Sequence, residues 1–157
     1  MRAATPEDEA DVRAICDMAI ATLRKTYRPT TETIHAQGDG PSTLPRVVAA
    51  IDGAIVGTVQ YRLSERSLIC IGLAVHDNFR NRGVARSMFD SLSDLGRILG
   101  ADRLVLWSVR QTGNIPIFLR LGFIPIREEP SLLFESETHQ KLSEVLMERP
   151  ILGRRLD

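Results

Sequence analysis

"VHDNFRNRGVARSMF", residues 75–89, sets three arginines, a glycine and two small residues between an apolar run and a second apolar stripe at helical spacing. A solvated strand-to-helix turn requires neither that charge nor that backbone freedom. A corner that grips phosphate requires both. Helix N-termini carry unpaired N–H groups and about half a positive charge, so they hold anions without side-chain help. The ligand must also come close to the backbone, which favours Gly83 and Ala85, and Arg80, Arg82 and Arg86 supply a positive surround. Ser87 adds a hydroxyl in the first turn.

Taken alone, Arg-x-x-Gly-x-Ala is a pattern that many turns share by chance, with arginines that merely meet solvent. Its context decides the reading. "LICIGLAV" (68–75) precedes it as a strand without polar alternation, expected to be buried on both faces. Ala85, Met88, Phe89, Leu92, Leu95 and Leu99 follow at helical spacing, and Gly100 stops that helix. Other phosphate signatures are missing from the sequence: there is no GxxxxGK[ST] loop and no GxGxxG after a strand. A GxSxG elbow and an HExxH helix are missing too.

Outward from the corner, "RVVAAIDGAIVGTVQYRLS" (46–64) reads as a hairpin turning at Asp52-Gly53. "RLVLWSV" (103–109) is the next strand, expected to lie parallel to 68–75 because a helix connects the two. A turn, "RQTG", leads to a short helix over 115–121 ended by Gly122; "FIPIRE" (123–128) and "KLSEVLMERPI" (141–151) complete the strands. Ahead of the hairpin, "MRAAT" reads as a short strand. Thr5 caps a helix with Pro6 in its first turn, and Val12, Ile15, Cys16, Ala19 and Leu23 form its apolar stripe to about residue 26. Residues 27–45 read as a variable connection with one short helix. The order β-α-ββ-β-α-β-α-β-β describes one mixed α/β sheet with helices on its faces.

The 157 residues suit one domain, with 43% hydrophobic and 25% charged residues. Twenty basic and twenty acidic residues cancel, which argues against a nucleic-acid or membrane-surface binder. The N-terminus lacks a secretory apolar segment and no run is long enough to span a bilayer, so a cytoplasmic location is expected. Cys16 and Cys70 lack metal-ligand spacing, so no metal is expected; they read as small buried hydrophobes in a reducing compartment.

Over about residues 3–151 the sequence resembles the GNAT acetyltransferase superfamily. Arg80-Asn81-Arg82-Gly83-Val84-Ala85, after a strand ending at Val75, matches the family's [RQ]-x-x-G-x-[GA] acetyl-CoA signature. "NIPIFLRLGF" (114–123) resembles its short helix from an Asn to Leu-Gly-Phe, and "VLMERPI" its final strand. The resemblance implies one GNAT domain over 1–157: a mostly antiparallel mixed sheet, one parallel strand pair splayed at its C-terminal ends, and helices on both faces. It implies acetyl-CoA as donor. Leu73, Ala74 and Val75 would pair with the pantetheine arm as an added strand does. Main-chain N–H groups from Arg82 through Val84, Ala85 and Arg86 to Ser87, with Arg80 and Asn81 beside them, would hold the pyrophosphate. Asn114 would cap the short helix near the pantetheine arm, or act purely as an N-cap ahead of Pro116.

Two departures concern mechanism. Phe118 stands where many members carry a Tyr general acid, and Ile71 where many carry a Glu general base, so the catalytic residues are unassigned. Either an amine attacks the thioester directly, with positioning and a backbone donor near Val75, or acid and base come from elsewhere, among Tyr61, Ser108 and His76. Tyr61 and Trp107 also read as core or groove-lining aromatics, His76 as a solvated loop residue, and Cys70 as too buried to carry an acyl group. The expected function is an N-acetyltransferase acting on a primary amine of a small molecule or peptide. The alternatives are a non-catalytic acyl-CoA-binding or regulatory domain, and an unrelated phospholigand binder. The acceptor side is expected from the first helix, residues 27–45 and the loop 128–141. Proteins of this kind often pair through the final strand region, which makes a homodimer an expected assembly.

Overall fold

A computed structural model describes residues 1–37 and 42–153. The elements are β1 (Arg2–Ala3), α1 (Glu9–Leu23), β2 (Arg28–Pro29), α2 (Thr31–Gln37), β3 (Arg46–Ile51), β4 (Ala54–Ser64), β5 (Ser67–Val75), α3 (Val84–Ile98), β6 (Arg103–Val109), α4 (Ile115–Arg120), β7 (Ile124–Pro130), β8 (Phe134–Glu135) and β9 (Ser143–Pro150). Part of the expected 27–45 connection, residues 38–41, and the terminal 154–157 of the expected domain lie outside the described residues.

Seven strands form one sheet in the order β1-β3-β4-β5-β6-β9-β7. Every neighbouring pair is antiparallel except β5 with β6. The β3–β4 hairpin turns where expected, with Asp52 at φ 51° and Gly53 at φ 82°. Both lie in the left-handed region that a two-residue turn between twisted strands demands. The parallel pair is short: Ser67, Leu68 and Ile69 meet Arg103, Leu104 and Val105, with no further register pair among the described residues. Beyond that point Cys70–Val75 and Leu106–Val109 diverge, as expected of a splayed pair.

Helices cover both faces. On one, Val12 and Ile15 of α1 bury against Val48, Ile55 and Ala74, with Cys16 and Ala19 beside them. On the other, Val84, Met88, Phe89 and Leu92 of α3 pack on Val56, Val59, Leu68, Cys70, Leu104, Leu106, Val145 and Met147. Met88, Phe89 and Leu92 are fully buried, each stabilising the fold by about 1.5–3 kcal/mol. The apolar stripe read from the sequence is therefore what seats α3, and with it the phosphate-type corner at its start.

Three expectations need adjustment. β5 is not buried on both faces: Leu68, Cys70 and Ala74 are buried, Ile69, Ile71, Leu73 and Val75 are half-buried, and Gly72 is exposed. β6 departs after Ile69, which leaves the edge of β5 from Cys70 to Val75 without a strand neighbour on that side. A register shift on β4 between Thr58 and Gln60 faces Gly72, whose φ is 66°. There the strand changes faces, so that Leu73 and Val75 join the core that Leu68 and Cys70 line upstream. Second, the first turn of the N-terminal helix is a 3-10 turn over Pro6–Asp8, and the helix ends at Leu23. Asp8 accepts from the Thr5 N–H at 2.8 Å and, in two bonds of 2.6 and 2.8 Å, from Arg2. Third, β2 and β8 were not foreseen. They pair antiparallel, Arg28 with Glu135 and Pro29 with Phe134, joining the two segments expected to flank the acceptor.

Candidate functional site

After Val75 the chain turns twice before α3. The His76 N–H donates to the Val56 carbonyl at 2.8 Å, and His76 Nδ1 accepts from the Asn78 N–H at 3.1 Å, opening a 3-10 turn over Asp77–Phe79. Asn81 at φ 60° and Gly83 at φ 78° both take left-handed backbone, which Gly adopts freely and Asn tolerates. The first helical bond returns the Ser87 N–H to the Gly83 carbonyl at 3.0 Å. Among the described residues, no acceptor meets the main-chain N–H groups from Arg82 to Arg86. A β-carbon built on Gly83 meets nothing within 4 Å among the described residues. The corner therefore presents a row of unpaired donors, at the positive end of a 15-residue helix, to open space. That cradle fits a pyrophosphate. Ser87 differs from the rest of the set: its N–H is engaged, and its hydroxyl is what it can offer.

The arginines are not equivalent. Arg80 pairs with Asp77 at 2.9 Å. Arg86 donates to the Arg120 carbonyl at 2.8 Å, tying α3 to the end of α4. Arg82 has no carboxylate or carbonyl partner among the described residues, and its guanidinium lies 5.4 Å from the Phe79 ring centroid. Exposed and held by stacking, Arg82 is the arginine most available to an anion.

Leu73, Ala74 and Val75 line the β5 edge that β6 has left. Ala74 points under α1, while Leu73 and Val75 pack on the α3 side. Asn114 stands at the head of α4 but makes no side-chain cap. Its carbonyl accepts from Ile117 and Phe118, and its N–H donates to Thr112 Oγ1 at 3.3 Å. The pure capping role is thus not observed, and the side-chain amide is left for another partner.

The candidate acids and bases separate on geometry. Phe118 sits against Phe89 and Phe123, with centroids 6.4 and 6.0 Å away, and Phe89 meets Phe123 at 4.8 Å in edge-to-face contacts. It is a packing residue. Ile71 pairs with Gln60 on β4. His76 spends Nδ1 on its own turn, Ser108 is buried, and Tyr61 is packed against the core opposite Cys70. Burial pushes the Cys70 thiol up to about 12, so it offers no thiolate near neutrality.

Two residues had no sequence signal. Glu144 of β9 faces Val109, the last residue of β6, and on its other side Glu129 of β7. Burial raises its carboxyl pKa, and the neighbouring Glu129 charge adds to that while Ser131 opposes it. Tyr27, just before β2, meets Phe134 of β8 with ring centroids 4.7 Å apart and planes tilted by 55°; burial raises its phenol pKa, the Arg24 charge opposes that and the Glu144 charge adds to it. Nothing in "KLSEVLMERPI" marks Glu144; only the register brings it to the end of β6.

The model of the acetyltransferase (GNAT) family matches residues 12–123. Among solved structures, a ribosomal-protein-alanine N-acetyltransferase from Brucella melitensis superposes with a TM-score of 0.70 at 20% identity, covering 95% of this chain and 98% of its own. A GCN5-related N-acetyltransferase from Kribbella flavida gives 0.67 at 21% identity, covering 95% of each chain. The protein yncA from Salmonella typhimurium, solved with its cofactor acetyl-CoA, gives 0.68 at 18% identity, covering 99% of this chain and 95% of its own. These likenesses establish the fold. No curated protein matches the sequence. No helix among the described residues is long and apolar enough to cross a membrane.

Proposed function

The chain belongs to the GNAT acetyltransferase family, and from that premise we propose that it moves an acetyl group from acetyl-CoA to a primary amine of a small molecule or peptide. The observation that carries this reading is the corner at Gly83, where unpaired N–H groups from Arg82 to Arg86 face open space. The diphosphate of coenzyme A would sit on those donors, with Arg82 beside it. Leu73–Val75, released from β6, would offer main-chain groups to the pantetheine amides. The solved relative holding acetyl-CoA supports the same donor.

Acetyl-CoA supplies an activated acyl carbon with a thiolate leaving group. The protein's contribution is positioning: the splay admits the thioester between β5 and β6, and main-chain N–H groups near Val75 polarise its carbonyl. With Phe118 unable to donate a proton, the amine attacks directly and water relays the proton to sulfur. Losing a general acid forfeits about 10²–10⁴-fold, which a good leaving group tolerates.

A second reading, a non-catalytic acyl-CoA-binding domain, is favoured by one observation: the position of the common acid is filled by a packed Phe118. Thiol release from acetyl-CoA across a broad amine panel separates the two. Acetyl-CoA at about 100 times its Kd should stabilise the fold by about 2.7 kcal/mol, a rise of roughly 5–10 °C in Tm. A Tm rise with turnover supports transfer, a rise without turnover supports the binding module, and no rise sinks both.

A further inference from the structure

The acetyl-transfer reading leaves one proton without a destination. A primary amine is an ammonium near neutral pH and cannot attack until it loses a proton. We propose that Glu144 is the base that takes it, an assignment that rests on the acetyl-transfer reading above.

The placement follows from the sheet. β5 and β6 part after the Ile69–Val105 pair, so the gap is walled on one side by the end of β6, Leu106–Val109. Val109 stands directly opposite Glu144 on β9. Glu144 therefore lies one strand spacing, about 4.8 Å, behind that wall, which a glutamate side chain can recross. Val145 and Met147 point into the core beneath α3, so alternation turns Glu144 to the other face of the sheet. The N–H corner belongs to the start of α3, on the first face. An acceptor meeting the thioester from the side away from that corner arrives on the face of Glu144.

The surroundings suit a base. Ser131 and Tyr27 stand beside Glu144, and Tyr27 in turn packs on Phe134 of β8. No ion pair holds Glu144 among the described residues, whereas its acidic neighbours are engaged: Glu129 with Arg127 at 3.2 Å, Glu135 and Glu137 with Arg28 at 3.0 and 2.7 Å, and Glu128 with Arg110 at 2.6 Å. The groups set against it are Glu129 from β7, Ser131 from the following loop, and Tyr27 from the segment after α1, which has the Arg24 charge beside it in turn. Half-burial and the Glu129 charge both raise its proton affinity.

The step balances without a further reactant. The Glu144 carboxylate takes one proton from the ammonium, and the freed lone pair forms the C–N bond. The C–S bond breaks with its electron pair going to sulfur, and the nitrogen's second proton reaches the thiolate through water. Glu144 then returns its proton to solvent.

The test compares the full-length protein with Glu144→Gln and Glu129→Gln, using the best acceptor from the amine panel and a fluorinated analogue whose amine is neutral at the assay pH. Glu144→Gln should lower kcat by about 10²-fold or more, abolish the acidic limb of the kcat–pH profile, and leave the acetyl-CoA-induced rise in Tm unchanged. The fluorinated acceptor should escape most of the loss. Glu129→Gln should move the acidic limb to lower pH with its plateau retained, since removing a like charge lowers the Glu144 pKa. An intact acidic limb in Glu144→Gln, or an equal loss with both acceptors, overturns the assignment while leaving the transfer reading standing. A wild-type protein without an acetyl-CoA-induced rise removes the transfer reading, and this base with it.

Discussion

Gly57 on β4 stands opposite Val75, the last residue of β5, and a β-carbon placed on Gly57 would come within 2.8 Å of Met88 Sδ and 3.0 Å of Val84 Cγ1. The missing side chain is what lets the first turns of α3 settle onto the sheet beside the mouth of the splay. Sheet, gap and helix terminus are thereby held at one spacing.

That closeness makes Gly57→Val a lever on the site. Overfilling a packed contact costs about 1–3 kcal/mol, read as a lower urea midpoint with an unchanged m-value. The α3 terminus should also lift, and the Kd for acetyl-CoA should rise, as measured by isothermal titration. An unchanged midpoint and Kd would show that Met88 and Val84 yield without consequence.

Gly83 separates conformation from occupancy. Its φ of 78° would strain a branched residue, so Gly83→Val alone confounds folding with binding. Asn tolerates this backbone and would project into the open space before the free N–H groups. Gly83→Asn should keep the apo Tm within a few degrees and lose most of the acetyl-CoA-induced rise. A full rise in that variant would move the diphosphate elsewhere.

Glu128 ties the end of β6 to the start of β9. It receives Arg110 in two bonds of 2.6 and 2.7 Å and the Ser143 hydroxyl at 2.6 Å, and the Arg110 guanidinium, then Ser143, draws its carboxyl down to about 2. A depressed native pKa stabilises the fold above the unfolded value of about 4.3, and that stability is lost as pH falls toward the native value. The stability gap between wild type and Glu128→Gln should be flat from pH 7 to about 5 and close at lower pH. Urea unfolding at each pH measures it.

Cys70 is placed in the core and its thiol is held protonated. If acetyl transfer proceeds by direct attack, Cys70→Ala should retain turnover, and initial-rate patterns should intersect rather than run parallel, because that route places no acyl group on Cys70. Parallel lines abolished by Cys70→Ala would reverse that conclusion.

Much of the fold was legible because its signals are local. Asp52-Gly53 names a turn that needs left-handed backbone, the period of Met88, Phe89 and Leu92 names a buried helix face, and a helix between two apolar runs implies a parallel pair. The donor corner was legible for the same reason: strand, glycine and helix start are contiguous, so the unpaired N–H groups follow from chain order. The β2–β8 pair escaped because each partner is two residues long and its stability comes from the other, more than a hundred positions away. The unequal arginines escaped because Asp77, Phe79 and the Arg120 carbonyl compete for them in space.

By itself, then, the chain order determined the family fold and the glycine-centred turn at the start of α3, since periodicity and a short corner are properties of neighbours in sequence. Only the tertiary structure decided which groups stand around the gap between β5 and β6. Where β6 leaves β5, and that Glu144 comes to rest behind Val109, are matters of strand register. Register is set by the summed packing of both faces of the sheet, which no single stretch of the chain encodes.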